Sequence, residues 1–163
     1  MDSDVLIKIT KASIKSVVVS NFDISIPLEV RSETVDEGKS RGYPDAIKIE
    51  ENIATNKLKV TTSRSKPNVE KIIGSLNLLG GEAASLRLFM RGGYAAIASD
   101  DQRFISLLDG LGIAYMTPAS LLVHLMRQER ISLAETKKYL EEIRPFISDE
   151  EYLTSLQAIR GES

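Results

Sequence analysis

The sequence has no cysteine, no tryptophan and a single histidine, His124, among its 163 residues. The lack of cysteine excludes disulfides, thiolate metal sites and a cysteine nucleophile, and one histidine excludes a metal site built from several imidazoles. Oxygen ligands remain available, and these favour Mg²⁺ or Mn²⁺. The phosphate-binding patterns Gly-x-x-x-x-Gly-Lys and Gly-x-Gly-x-x-Gly are also missing, which argues against a nucleotide-binding domain.

Long apolar runs and an excess of one charge are absent as well. No apolar run is long enough to span a bilayer and no signal peptide is recognisable, so we expect a cytoplasmic protein without a membrane contact. The net charge is only −2, with 27% charged residues. The protein is therefore not a general binder of polyanions, and contact with nucleic acid would need a local basic patch.

Helical and strand patterns alternate along the chain. Together they predict a three-layer α/β/α sandwich with a mainly parallel sheet of four to five strands and with C-terminal helices. We expect a single domain over residues 1–163, on which a helical pair at 132–162 packs. Capping boxes at Ser132-x-x-Glu135 and Ser148-x-x-Glu151 mark the starts of that pair. The other predicted elements are helices at 3–16, 28–37, 45–55, 104–111 and from 67, 81 and 118, strands at 21–26, 58–62, 94–98 and 113–116, and a loop at 38–42.

Acidic side chains follow the most apolar predicted strand. Asp100 and Asp101 come directly after residues 94–98, which carry no charge and are expected to be covered on both faces. Parallel α/β sheets place their sites beyond the carboxyl ends of the strands, so this pair is a site candidate. Glu82 lies near a predicted helix start, at the top of the stripe that faces the sheet. Alternatively, the helix dipole favours Glu82 there while its carboxylate points into solvent.

Further acids lie at element junctions along the chain. Carboxylates that converge would repel one another, and their pKa values would rise unless a cation neutralised them. A bound hard cation can acidify water and stabilise the charge that develops when a phosphodiester is cut. The alternative is a scatter of surface acids, in which Asp2 serves only as a helix N-cap. The candidate set is Asp2, Asp4, Glu29 or Glu33, Glu82, Asp100 and Asp101.

Short motifs in this order resemble the PIN-domain superfamily over nearly the whole chain. More narrowly, they are similar to prokaryotic PIN-like proteins related to VapC-type toxin nucleases. The motifs that carry the resemblance are DSDVLI at 2–7, the segment 26–33 that starts with Ile-Pro and contains a helical Glu, LGGEA at 79–83, SDDQR at 99–103, and the later course at 112–122 and 128–132. One departure is that the family has an apolar strand before its opening Asp, whereas only Met1 precedes Asp2. Either the chain begins late or the central strand is short.

The resemblance implies roles for individual residues. It implies that Asp2, Glu33, Glu82 and Asp101 hold Mg²⁺ or Mn²⁺, with Asp100 as the alternative to Asp101. Glu29 is the alternative to Glu33, which the helical phase slightly favours. Ser99 would orient a carboxylate or a phosphate oxygen. Phosphate contacts would come from basic side chains that could equally serve solubility, namely Arg103, Arg41, Lys39 and Arg31.

The function implied by the resemblance is that of a metal-dependent ribonuclease. Such enzymes hydrolyse RNA phosphodiesters and leave a 5′-phosphate and a 3′-hydroxyl. Family members commonly form homodimers, and some are toxins that an antitoxin protein neutralises by covering the site. The alternative is a catalytically inactive PIN-like module that binds RNA or protein.

Overall fold

The computed structural model describes residues 1–62 and 66–161, and most of them are helical. The α-helices are α1 Ser3–Lys11, α2 Lys15–Asn21, α3 Leu28–Arg31, α4 Gly38–Ser40, α5 Pro44–Ala54, α6 Pro67–Ser75, α7 Gly80–Met90, α8 Gln102–Gly110, α9 Pro118–Arg127, α10 Leu133–Ile143 and α11 Asp149–Arg160. A π-helical segment, Ser32–Glu37, joins α3 to α4, and a 3₁₀ turn, Arg144–Phe146, precedes α11. No helix of the described ranges is long and apolar enough to cross a membrane.

Four strands form two parallel pairs in the part of the chain that the structure describes. In the first pair, β1 (Ile24–Pro27) lies beside β2 (Leu58–Thr61), with Ile24 opposite Leu58. In the second pair, β3 (Ile97–Ala98) lies beside β4 (Tyr115–Met116). The predicted parallel pairing is therefore confirmed, but the predicted single sheet of four to five strands is not seen.

Met1 and Asp2 lie between the two pairs and join them. The Met1 ammonium donates to the Ser25 carbonyl at 3.2 Å, and the Asp2 N–H donates to the Ala98 carbonyl at 2.9 Å. Met1 thus makes one strand-like hydrogen bond to β1, and Asp2 makes one to β3, as a strand between the two pairs would. The two pairs are separate sheets that these two bonds connect.

The predicted helix over residues 3–16 is wrong in its second half. Helix α1 ends at Lys11, and Ser13 adopts a left-handed conformation with φ of 60° that no α-helix tolerates. A new helix, α2, then takes the residues up to Asn21. The predicted strand at 21–26 consequently starts only at Ile24.

The predicted loop at 38–42 is also partly wrong, because the chain stays helical up to Ser40. The wider π-helical turns begin at Ser32, within the predicted helix 28–37. Segments of this kind often occur at functional sites, because one extra residue per turn changes where side chains point. Here the segment carries Glu33.

The apolar core has two clusters of buried side chains. The larger includes Leu6 of α1, Ile26 of β1 and Leu122 of α9. The smaller includes Leu86 of α7 and Leu108 of α8. Helices α10 and α11 pack on α9; residue 162, the predicted end of the C-terminal helical pair, lies outside the described residues.

Candidate functional site

Asp2 lies at the amino end of α1, next to the carboxyl end of β3. Its carboxylate caps the helix by accepting from the Val5 N–H at 3.0 Å. Only 8% of the residue is exposed. Burial raises the pKa of the Asp2 carboxyl to about 6 and the Asp100 charge adds to that, while hydrogen bonds from Ser99 and Val5 and the Met1 ammonium oppose it. A buried acid whose charge is this poorly compensated is one that a cation would stabilise.

Ser99 connects Asp2 with the acids that follow β3. Its side chain is fully buried, and its hydroxyl bonds to the Asp2 carboxylate. The same hydroxyl accepts from the Asp101 N–H at 3.3 Å. Ser99 therefore links Asp2 to the turn that carries Asp100 and Asp101.

Asp101 and Glu82 form a second pair of neighbouring carboxylates. Asp101 is exposed and caps α8 by accepting from the Phe104 N–H at 2.7 Å. Glu82 is half-buried in the first turn of α7. Burial and then the Asp101 charge raise the pKa of Glu82, whereas nearby Arg103 lowers it. The structure thus brings Glu82, Asp101 and Arg103 together.

Glu33 lies beside the starts of α1 and α7. The hydroxyl of Ser3, which directly follows Asp2, donates to the Glu33 carboxylate. That carboxylate packs so closely on α7 that a Cβ added at Gly81 would lie 3.1 Å from Glu33 Oε2. Glu29, the alternative, has a buried carboxylate oxygen without a hydrogen-bond partner, and its charge acts on Arg87 instead. Of Glu29 and Glu33, therefore, Glu33 is the one that is bonded to Ser3, the neighbour of Asp2.

Two residues near Asp2 had no place in the sequence analysis of the site. The Lys8 ammonium pairs with the Asp100 carboxylate, and Glu151 of α11 accepts from the Ala119 N–H at 2.8 Å. The charges of Asp100 and Lys8 both act on Glu151, which places it next to them. No local pattern marks Lys8, because its partner is 92 residues away.

The second predicted capping box, at Ser148 and Glu151, is only half formed. Ser148 does accept from the Glu151 N–H at 3.1 Å. The Glu151 carboxylate, however, does not return to Ser148, because it bonds to Ala119 at the start of α9. The first box is complete at Ser132 and Glu135.

The remaining predicted phosphate contacts lie in ion pairs of their own. Arg41 pairs with Glu37, Lys39 with Glu50 and Arg31 with Asp36, all near the π-helical segment or α5. None of the contacts found among the described residues brings these three cations to the carboxylates. Arg103 is therefore the predicted basic residue that the fold places at the acids. His124 is exposed, and its ring packs 5.7 Å from that of Phe22.

The acids fit a hard divalent cation in donor chemistry, although they are not assembled as a finished metal site. All donors are carboxylate oxygens, and burial, together with a neighbouring carboxylate, raises the pKa of Asp2 and of Glu82. Within residues 1–62 and 66–161, however, no group of three or more His, Asp or Glu residues is arranged to hold a metal ion. Asp100 is bound by Lys8 and Glu33 by Ser3.

A cavity of about 840 Å³ lies between the two sheets. Met1, Ser25 and Ala98 line it together with residues of α9 and α11. None of the predicted site residues is among the described residues that line it.

Comparison with known proteins identifies the family. The family model DUF3368, described as a PIN domain, matches residues 1–160. The chain therefore belongs to this PIN-domain family, and its fold is of the nuclease type. No curated protein and no solved structure matches the chain.

Proposed function

We propose that this protein is a metal-dependent ribonuclease whose active site is the acidic end of β3. The observation that carries the proposal is the placement of Asp2 and the Asp100–Asp101 pair around the buried Ser99 hydroxyl. Helix α7 also contributes to this place, since it adds Glu82 beside Asp101. Membership of the PIN-domain family supports the same chemistry, because PIN domains are generally nucleases.

In this proposal Asp2, Glu82 and Asp101 hold Mg²⁺ or Mn²⁺, with Asp100 close by and Glu33 at the edge. A divalent cation there supplies acidified water and stabilises charge at the scissile phosphate. Ser99 positions Asp2 and the backbone of Asp101 through its two hydrogen bonds. Arg103 is exposed next to Glu82, where its guanidinium can bind a phosphate oxygen of the substrate.

RNA is the proposed substrate, and hydrolysis would leave a 5′-phosphate and a 3′-hydroxyl. With a net charge of −2 the whole surface does not attract RNA, so binding relies on local cations such as Arg103. The relation to VapC-type toxins, the homodimer, the antitoxin partner and the cytoplasmic location stay predictions from the resemblance and the sequence.

RNA cleavage by matched variants tests the proposal. A mixed single-stranded RNA is incubated with the purified protein in Mn²⁺, in Mg²⁺ and in EDTA. Asp101→Asn and Glu82→Gln should lower metal-dependent cleavage by at least roughly 100-fold, because each removes a charged oxygen ligand. Asp109→Asn is the control, since Asp109 is an exposed acid on the same helix as Phe104. Equal cleavage by all four proteins, or cleavage in EDTA, would rule out this site.

A binding module without turnover is the second candidate, and one observation favours it. Lys8 and Ser3 already engage two of the acids, and no group of three ligands is assembled in the described ranges. Thermal unfolding with and without Mn²⁺ separates the candidates, because a ligand of the native state raises its apparent stability. RNA binding without cleavage and without a Mn²⁺ shift would favour the binding module.

A further inference from the structure

Lys8 is the one described cation that contacts an acid following β3. It lies on α1, its side chain is 31% exposed, and its ammonium is bound to Asp100, whose side chain is only 6% exposed. Asp100 in turn lies beside Asp2, on which its charge acts. A positive charge of the chain itself therefore occupies the acidic end of β3.

The surroundings of Lys8 explain why it stays there. Asp100 comes from the end of β3, Asp2 from the start of α1 and Glu151 from α11, and Lys8 acts on Glu151 as well as on Asp100. These carboxylates would repel one another without a cation. An ammonium on a flexible four-carbon stem can neutralise them, and it can also swing into solvent when another cation arrives.

We propose that Lys8 is a built-in counter-ion that holds Asp100 in the metal-free protein and competes with a divalent cation for it. This inference rests on the proposed function, because it concerns the same carboxylates. An ammonium and a divalent cation repel each other and cannot share one carboxylate oxygen at contact distance. Binding of Mg²⁺ or Mn²⁺ to the Asp100 carboxylate therefore requires Lys8 to leave it. Lys8 is a positioning residue in this view.

The proposal predicts two effects of opposite sign in a single variant. Lys8→Met keeps most of the apolar stem and removes the charge. Without metal, the variant should melt at a lower temperature than the wild type, because Asp100 loses its partner next to Asp2 and Glu151. With metal, its affinity for Mn²⁺ should be roughly tenfold higher, because nothing competes for Asp100. A merely structural lysine would lower stability without tightening the binding of metal.

The measurement is the Kd of Mn²⁺ by titration calorimetry at fixed ionic strength, with melting curves in EDTA. Lys11→Met is the matched control, because Lys11 is exposed on the same helix and its loss changes the net charge equally. Lys8→Arg keeps the positive charge and should bind Mn²⁺ like the wild type. If Lys8→Met does not fold, Lys8→Gln replaces it.

Each outcome decides the question. Tighter Mn²⁺ binding by Lys8→Met than by Lys11→Met supports the counter-ion, even if the wild type binds too weakly to measure. If the wild type binds Mn²⁺ and Lys8→Met binds Mn²⁺ equally or more weakly, the counter-ion proposal is wrong, but the proposed metal site is supported. If no protein of the set binds Mn²⁺, both the counter-ion and the proposed metal chemistry are wrong.

Discussion

Asp2 and Asp101 each serve two purposes with one carboxylate. In both residues the Oδ1 atom accepts from a backbone N–H in the first turn of a helix, from Val5 in α1 and from Phe104 in α8. The second oxygen is not needed for the cap. Helix capping thus holds each side chain in place through one oxygen and leaves the second oxygen outside the cap.

Because the cap uses one oxygen of Asp101, substitutions can test its effect on stability separately from its charge. Asp101→Asn keeps an acceptor for the Phe104 N–H and should unfold within about 0.5 kcal/mol of the wild type. Asp101→Ala removes the acceptor and should cost about 1 kcal/mol of unfolding free energy. Urea denaturation followed by circular dichroism measures both. Equal losses for Asn and Ala would mean that the charge, and not the cap, stabilises α8.

Glu151 makes the stability of the protein depend on pH. Burial raises the pKa of its carboxyl above the ordinary 4.5, against the hydrogen bonds from Ala119 and Thr117. The folded protein therefore holds the Glu151 proton more tightly than the unfolded chain does. The resulting stabilisation is fully present below pH 4.5 and is lost as the pH rises through the raised pKa.

Glu151→Gln removes this titration but keeps an acceptor for Ala119. The free energy of unfolding of the wild type should therefore fall relative to that of Glu151→Gln as the pH rises from 4 to 7. Denaturant unfolding at several pH values measures the difference. Glu150→Gln, which lies exposed in the same turn, controls for the loss of one charge. A difference between wild type and Glu151→Gln that does not change with pH would contradict the assignment.

At the scale of elements, local sequence patterns predicted helix starts correctly, whereas contacts between residues distant in sequence could not be predicted. The two helix starts that were assigned to a proline, at Pro67 and Pro118, were placed correctly, since proline at N1 is a local effect. The break after Lys11 was missed because no glycine or proline marks it. The Glu151 carboxylate was assigned to its own helix, because sequence spacing cannot reveal that Ala119 lies closer.

The start of α7 is an element whose sequence is matched to its neighbour. The absence of a side chain at Gly81 lets the Glu33 carboxylate approach, and a Cβ there would lie 3.1 Å from Glu33 Oε2 and 3.4 Å from Val30 Cγ2. Gly74 in α6 has open space instead, with nothing within 4 Å of an added Cβ. The two glycines therefore offer a matched comparison.

Gly74→Ala should stabilise the protein by about 0.5–1 kcal/mol, because alanine favours the helix and restricts the unfolded chain. Gly81→Ala should stabilise the protein less than Gly74→Ala does, or should destabilise it. The reason is that its methyl group must displace Glu33 from Ser3 or from α7. Thermal unfolding of both variants measures this. An equal gain at the two positions would show that Glu33 can move away without cost.

At the scale of the whole molecule, the sequence led to the class of fold and to the place of the acids. Alternating patterns and the acids after residues 94–98 were enough, because both follow from short-range periodicity. The division of the sheet was not predicted, because the bonds from Met1 to Ser25 and from Asp2 to Ala98 join residues that are distant in sequence. The contact of Lys8 with Asp100 could not be predicted from the sequence either, because it exists only after folding.

Two sheets and two apolar clusters raise the question of whether the chain unfolds as one unit. Leu122 is fully buried in the larger cluster and Leu108 in the smaller. Ala98 belongs to the larger cluster although its strand neighbour Ile97 belongs to the smaller, so the two clusters meet within β3. We therefore expect a single domain over residues 1–163 that unfolds cooperatively.

Leu108→Ala and Leu122→Ala test this expectation. Each should cost roughly 2–5 kcal/mol, which lowers the melting temperature by roughly 5–15 °C for a chain of this size. If the clusters form one cooperative unit, either variant shows a single calorimetric transition whose enthalpy agrees with its van't Hoff value. If the clusters are independent, Leu108→Ala moves only part of the transition and leaves a second component at the wild-type temperature. In that case the acids would lie at a boundary between units, because Asp2 belongs to α1 of the larger cluster and Glu82 to α7 of the smaller.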